Sequence, residues 1–145
     1  GLQNELVLGN LEAERDWGYT KDFVEPMWLM LQQDKPDDFI IATGKSHSVK
    51  DFINECCRQL KMKIRWVGKG FNEKAILMGK KKEDLIVVDR KYFRPLEIDY
   101  LKGNSKKARK ILKFKPKYSF KSLISEMLKE DMKLAKEERA ISNLT

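Results

Sequence analysis

A chain of 145 residues with a 41% hydrophobic share has room for one domain with a real core, which excludes disorder throughout. No apolar run nears the ~20 residues a membrane span needs and no basic-then-apolar signal opens the chain, so a cytoplasmic location and no membrane partner are expected. The net charge of +8 is uneven: 13 Lys and Arg stand against 5 Asp and Glu from 101 to 145, which leaves the first hundred residues close to neutral.

In chain order, Leu6-Val7-Leu8 ended by Gly9-Asn10 reads as a strand entering a turn. Arg15-Asp16-Trp17-Gly18-Tyr19 reads as a second short extended piece. Asp22 and Glu25 have capping-box spacing, and Phe23, Val24, Met27, Trp28 and Leu31 share one helical face behind them. Pro26 is awkward there, since it either starts the helix or distorts its first turn. The stretch from Asp34 to Asp38, which holds Pro36, closes that helix, and Phe39-Ile40-Ile41-Ala42 then reads as a buried strand.

Ser46 or Ser48 can cap the next helix, whose stripe is Val49, Phe52, Ile53, Cys56, Cys57 and Leu60. Neighbouring cysteines on a helix point about 100° apart, so Cys56 and Cys57 read as buried thiols rather than a mutual disulfide. Residues 62–67 alternate as a half-exposed strand. Residues 68–83, rich in Gly and Lys without a clear period, read as a loop. Leu85-Ile86-Val87-Val88 is the next strand, Asn104-Ser105 can cap a helix through Leu112, and Ser119 a long one to about Arg139. The order is mixed strand and helix with no internal repeat.

The stretch from Tyr92 to Asn104 carries the most chemistry. Pro95 fixes its own φ and pushes Arg94 out of the helical region, and Glu97 lies three residues on, across a turn. A guanidinium can grip phosphate oxygens through two parallel N–H bonds and a carboxylate can accept from both ribose hydroxyls, so the pair has the chemistry for a nucleoside diphosphate. The bland alternative is a solvated ion pair worth little. The basic tail, with aromatics interleaved from Lys113 to Lys121, invites a nucleic-acid reading. Helical spacing of Phe120, Leu123, Ile124, Met127 and Leu128 favours a solvated helix face over apolar anchors instead, so nucleic acid is not the expected partner.

Other motifs fail on spacing. Gly44-Lys45-Ser46 has the end of a P-loop, but Phe39 stands where the leading glycine belongs. Gly68-Lys69-Gly70 follows a strand without a third glycine opening a helix. His47, the sole histidine, makes no zinc set with two adjacent cysteines, and neither a Tyr-x-x-x-Lys nor a nucleophile with a base is found. On residue chemistry the chain reads as a binding domain rather than a complete enzyme. Its start at Gly1 fits a processed tag, an excised domain or the second half of something longer.

The run from Leu8 to Val24, with Arg15-Asp16-Trp17-Gly18 inside it, continues through Met27-Trp28-Leu29-Met30-Leu31-Gln32-Gln33. Further on come Asp38 to Gly44, His47-Ser48-Val49, Val88-Asp89, Tyr92 to Glu97 and Leu112 to Pro116. Together they closely resemble the carboxyl-terminal half of GDP-mannose 4,6-dehydratases over nearly the whole chain. These are extended short-chain dehydrogenase/reductases that use bound NADP to convert GDP-mannose into GDP-4-keto-6-deoxymannose, a precursor of fucose-type sugars. The resemblance implies an α/β fold, the carboxyl-terminal part of a Rossmann-type enzyme of mixed short strands and helices with the amino-terminal cofactor domain absent.

It further implies that residues 1–145 are the GDP-sugar-binding half. Residues 20–60 would then include the edge strand and helices of the cofactor sheet. Arg15 matches an arginine expected on a substrate phosphate, Arg94 one expected to clamp the diphosphate, and Glu97 the acid expected on the ribose hydroxyls. Leu8, Gly9 and Asn10 are expected along the nucleoside. NADP belongs to the full-length enzyme and is not expected in this chain alone, where the catalytic set is missing. The implied partners are GDP-mannose, the amino-terminal cofactor domain and a further copy in a homo-oligomer. Glu14 beside Arg15, Tyr19-Thr20, Pro26, Gly103-Asn104 and loop 68–83 depart from the family's pattern. Three readings stay open: part of a dehydratase, a non-catalytic nucleotide-sugar binding module, and a basic nucleic-acid-binding domain.

Overall fold

Ala75 and Ile86, both buried, are register partners in the middle of a four-stranded sheet. A computed structural model describes residues 2–79, 83–94 and 96–142. Its main sheet holds β1 (Leu6–Leu8), β4 (Ile64–Val67), β5 (Lys74–Leu77) and β6 (Glu83–Val88), in the order β1-β6-β5-β4. β1 runs parallel to β6, and the other two pairings are antiparallel. The expected strands at Leu6-Val7-Leu8, within 62–67 and at Leu85 to Val88 all form.

Helix α2 (Val49–Gln59) packs on this sheet, where Ile53 and Cys57 meet Leu11, Ala75 and Ile86 in one cluster. Of the two candidate caps, Ser48 is the one used. Its Oγ accepts from Asp51 N at 3.0 Å while Asp51 Oδ2 accepts from Ser48 N at 3.0 Å, a reciprocal box that satisfies two otherwise orphaned donors. α2 thus turns its apolar stripe toward this chain's own four-stranded sheet.

A second, two-stranded sheet pairs β2 (Glu14–Asp16) with β3 (Ser46–Ser48), Arg15 facing His47. On the other side of β2, Glu14 N donates to Asp99 O at 2.7 Å and Leu101 N to Glu14 O at 3.1 Å. Residues 99–101 therefore run alongside β2, which matters for the site.

Helices α1 (Thr20–Leu31) and α3 (Lys106–Ile111) contribute to a second cluster, in which Ala108, Leu112 and Phe114 meet Phe23, Phe39 and Ile41. α3 is led in by Asn104, whose Oδ1 accepts from Lys106 N, while Ser105 Oγ accepts from Arg109 Nε rather than capping. α4 (Phe120–Ser142) begins where expected, Ser122 N donating to Ser119 Oγ at 3.2 Å, and runs past Arg139.

Four expectations are corrected. Asp22 and Glu25 form no capping box, because the helix already starts at Thr20. The Asp22 carboxylate is drawn away by the backbone N–H groups of Lys117 and Tyr118, both at 2.9 Å, and Glu25 pairs with Lys117 Nζ. Pro26 thus lies inside α1, fully buried, and deprives the Asp22 carbonyl of its usual helical donor. Phe39-Ile40-Ile41-Ala42 forms no strand. A strand needs a hydrogen-bonded neighbour, and here Phe39 and Ile41 turn toward the α3 cluster while Ile40 is exposed.

Loop 68–83 is not all loop. It holds a 3-10 turn, Gly70–Asn72, and then β5, which is paired on both sides. The reading of Pro95 lies outside the described residues, as do residues 80–82.

Candidate functional site

The parallel pairing of β1 and β6 delivers two chain segments to one end of the sheet, closed by Asp89 N donating to Leu8 O at 2.9 Å. A Cβ on Gly9 would stand 2.2 Å from the Tyr92 carbonyl oxygen, so only glycine lets the chain after β6 cross so near. That chain makes a 3-10 turn, Arg90–Tyr92, begun by Asp89 whose carboxylate accepts from Lys91 N. Phe93 follows in extended backbone, and Glu97 N donates to Arg94 O at 3.2 Å, the turn that the Arg94–Glu97 spacing called for.

Residues 99–101 then join β2, and this brings Glu97 onto Arg15 from 82 positions away. Arg15 Nη2 donates to Glu97 Oε1 at 2.6 Å and Nη1 to Glu14 O at 2.7 Å. An open cleft of about 640 Å³ is lined by Arg15, Phe93, Arg94, Leu96, Glu97 and Leu101. Arg94 is exposed, and its side chain has no hydrogen-bond or ion-pair partner among the described residues. The cleft therefore holds one guanidinium already engaged, one open, and a carboxylate with one oxygen still accepting.

Leu8, Gly9 and Asn10 adjoin this cleft without lining it. Asn10 Oδ1 accepts from Glu12 N at 3.0 Å, and its amide lies 3.4 Å from Asp99 Oδ1. Glu14 turns its carboxylate to the β3 side, where Oε2 accepts from Ser46 Oγ at 2.7 Å.

Sequence reasoning gave Asp16 no role, yet it fastens the site. Its Oδ1 accepts from Thr43 N at 2.9 Å and Thr43 Oγ1 at 2.6 Å, its Oδ2 from Gly44 N at 2.8 Å and Gly103 N at 3.3 Å. One carboxylate so ties β2 to two loops, and Arg15 is held by its neighbour. Nothing local in the sequence announces this, because all the donors lie 27 or more positions away.

Elsewhere the chemistry is sparse. A second cavity of about 500 Å³ is lined by Trp17, Lys45, His47, Arg109, Lys117 and Phe120. His47 lies in β3 with its ring stacked on Phe120, centroids 3.9 Å apart. The tail's aromatics are committed to packing, with Phe114 buried and Tyr118 edge-on to Tyr19. Burial, reinforced by Cys57, Glu55 and Asp131, pushes the Cys56 thiol up to about 11, and burial raises Cys57 too, so neither is a thiolate nucleophile at neutral pH. Among the described residues no three His, Cys, Asp or Glu side chains could hold a metal ion. No helix among them is long and apolar enough to cross a membrane.

The glycine turn after β4 does not build a dinucleotide fingerprint. The Gly68-Lys69-Gly70 turn leads into a 3-10 turn and then β5, so no helix N-terminus stands where a pyrophosphate would need one.

The family model described as GDP-mannose 4,6 dehydratase matches residues 1–127. This chain belongs to the GDP-mannose 4,6-dehydratase family. It is 43% identical over 143 residues to GDP-mannose 4,6 dehydratase 1 of Arabidopsis thaliana, covering 99% of this chain and 35% of that one. To the GDP-mannose 4,6 dehydratase of Homo sapiens it is 47% identical over 130 residues, covering 88% of this chain and 34% of the relative. The GDP-mannose 4,6-dehydratase of Vibrio cholerae is 41% identical over 144 residues, 93% of this chain and 39% of its own.

The chain thus spans little more than a third of the dehydratases it matches. Among solved structures it is similar to that of RMD from Pseudomonas aeruginosa complexed with NADPH, with a TM-score of 0.60 and 16% identity over 83% of this chain and 33% of that one. At that identity the likeness is one of fold, α/β with short strands and helices.

Proposed function

We propose that this chain supplies the GDP-sugar-binding part of a GDP-mannose 4,6-dehydratase, an NADP-dependent lyase that forms GDP-4-keto-6-deoxymannose. The observation that carries this reading is the meeting of Arg15, Arg94 and Glu97 in one cleft, within a chain whose family is named for a GDP-sugar substrate. Arg94, open to solvent, grips the diphosphate through its planar fork. Arg15 adds a second cation, and Glu97 accepts from the ribose hydroxyls. Leu8, Gly9 and Asn10, one strand away, flank the nucleoside.

Hydride transfer and dehydration need NADP and groups that hold it in register with the sugar. In this reading a cofactor half supplies both, and residues 1–145 bind and orient substrate. α1 and residues 39–42 face that half. A basic tail used for nucleic acid finds no support in aromatics that pack inward.

The test is calorimetry of GDP and guanosine with the chain and its Arg94→Ala variant. Loss of one charged, bidentate contact is expected to weaken GDP by about 1.5–3 kcal/mol and guanosine much less. Equal losses for the two ligands remove Arg94 from the diphosphate role.

A further inference from the structure

We propose that the Arg15–Glu97 ion pair is a latch that couples phosphate recognition to ribose recognition. A diphosphate draws the Arg15 guanidinium off Glu97, and only then are both carboxylate oxygens open to the two ribose hydroxyls. This rests on the assignment of Arg15 and Arg94 to phosphate and of Glu97 to ribose.

Without ligand the two groups satisfy each other. Arg15 is committed twice, through Nη2 to Glu97 Oε1 at 2.6 Å and through Nη1 to Glu14 O at 2.7 Å. With Oε1 already accepting from a guanidinium, Glu97 offers a vicinal diol only one unengaged oxygen, so one hydroxyl of the two meets an acceptor whose charge is already countered. Arg94 has no partner among the described residues and lines the same cleft, so it is the cation an arriving phosphate meets first.

The exchange is mild. The side chains are 28% and 27% exposed, and an ion pair this wet is worth only about two- to five-fold in an equilibrium constant, which the charge of a diphosphate exceeds. Arg15 also keeps its bond to the Glu14 carbonyl, a hinge about which the guanidinium swings without leaving β2. The consequence is order: the ribose is read stringently only when phosphate is present. A bare nucleoside must break the pair with nothing to offer Arg15 in return.

The experiment is calorimetry with GDP, guanosine, 2′-deoxyguanosine and inorganic pyrophosphate on the chain and two variants, each checked for an unchanged thermal melt. In Arg15→Gln, GDP is expected to bind more weakly. Guanosine is expected to bind about two- to five-fold more tightly than in the wild type, and to gain an advantage over 2′-deoxyguanosine that the wild type lacks. In Glu97→Gln, pyrophosphate is expected to bind more tightly by a similar factor, because Arg15 is released.

A brace with no latch role gives the opposite sign. If Arg15→Gln weakens guanosine, or Glu97→Gln leaves pyrophosphate unchanged or weaker, the pair is a fixed support and the latch is wrong. If the wild type binds GDP no better than guanosine, the site assignment itself fails and the latch falls with it.

Discussion

Asp16 shows how much a single side chain can hold. Its four accepted hydrogen bonds come from Thr43, Gly44 and Gly103, so removing the carboxylate orphans three backbone N–H groups at once. Asp16→Ala is expected to cost on the order of 2–4 kcal/mol in chemical denaturation and to weaken GDP, because Arg15 loses its frame. Glu55 gives a pH signature. Arg58, with Gln59 beside it, holds this carboxyl at about 2, below its ordinary 4.5. Stability from it is whole above pH about 4.5 and is lost as pH falls toward 2, since the unfolded state takes up the proton first. Glu55→Gln is therefore expected to flatten that acid limb when the melting temperature is followed from neutral pH downward. At this scale the sequence was partly legible. Arg15, Arg94 and Glu97 could be picked out because guanidinium and carboxylate chemistry is local to the residue. Asp16 could not, because its importance lies in partners that only the fold brings near.

Among the elements, α1 carries the clearest unmet demand. Of the five residues expected to share an apolar face, Phe23 packs against the cluster of Ala108, Leu112 and Phe114 while Val24, Met27, Trp28 and Leu31 are exposed, Leu31 at 81%. Exposed Ile40 belongs to the segment read as a strand that found no neighbour. Each large apolar side chain left in water forgoes about 1.5–3 kcal/mol, so such a face draws a partner. The isolated chain is expected to self-associate through it, and Trp28→Ser with Leu31→Glu to shift the weight in sedimentation toward monomer. An unchanged distribution would place the contact elsewhere. α2 is the contrasting case: its stripe, cap and sheet partners lie within one chain, and Ser48→Ala is expected to cost about 1 kcal/mol. Periodicity found both helices, because 3.6-residue spacing is a property of the segment itself. It missed β5, whose four residues are too few to show a period and which is a strand because both neighbours pair with it.

Across the described residues the parts sort into a self-contained side and a side with an exposed apolar face. The four-stranded sheet, α2 and the Arg15–Arg94–Glu97 cleft are built from residues within the chain. On the other side the α1 face is exposed, as are Leu96 and Ile98 by the cleft. The chain spans about a third of its relatives' length, and in the proposed reading substrate binding belongs to it and cofactor chemistry lies elsewhere. The most direct measurement is formation of the 4-keto sugar from GDP-mannose and NADP by purified residues 1–145, alone and then joined to a cofactor half from a family member. No product from the chain alone and measurable product from the joined protein is the expected result. Detectable 4-keto sugar from the chain alone, or GDP-mannose binding unaltered in an Arg15→Ala, Arg94→Ala, Glu97→Ala triple variant, would contradict it.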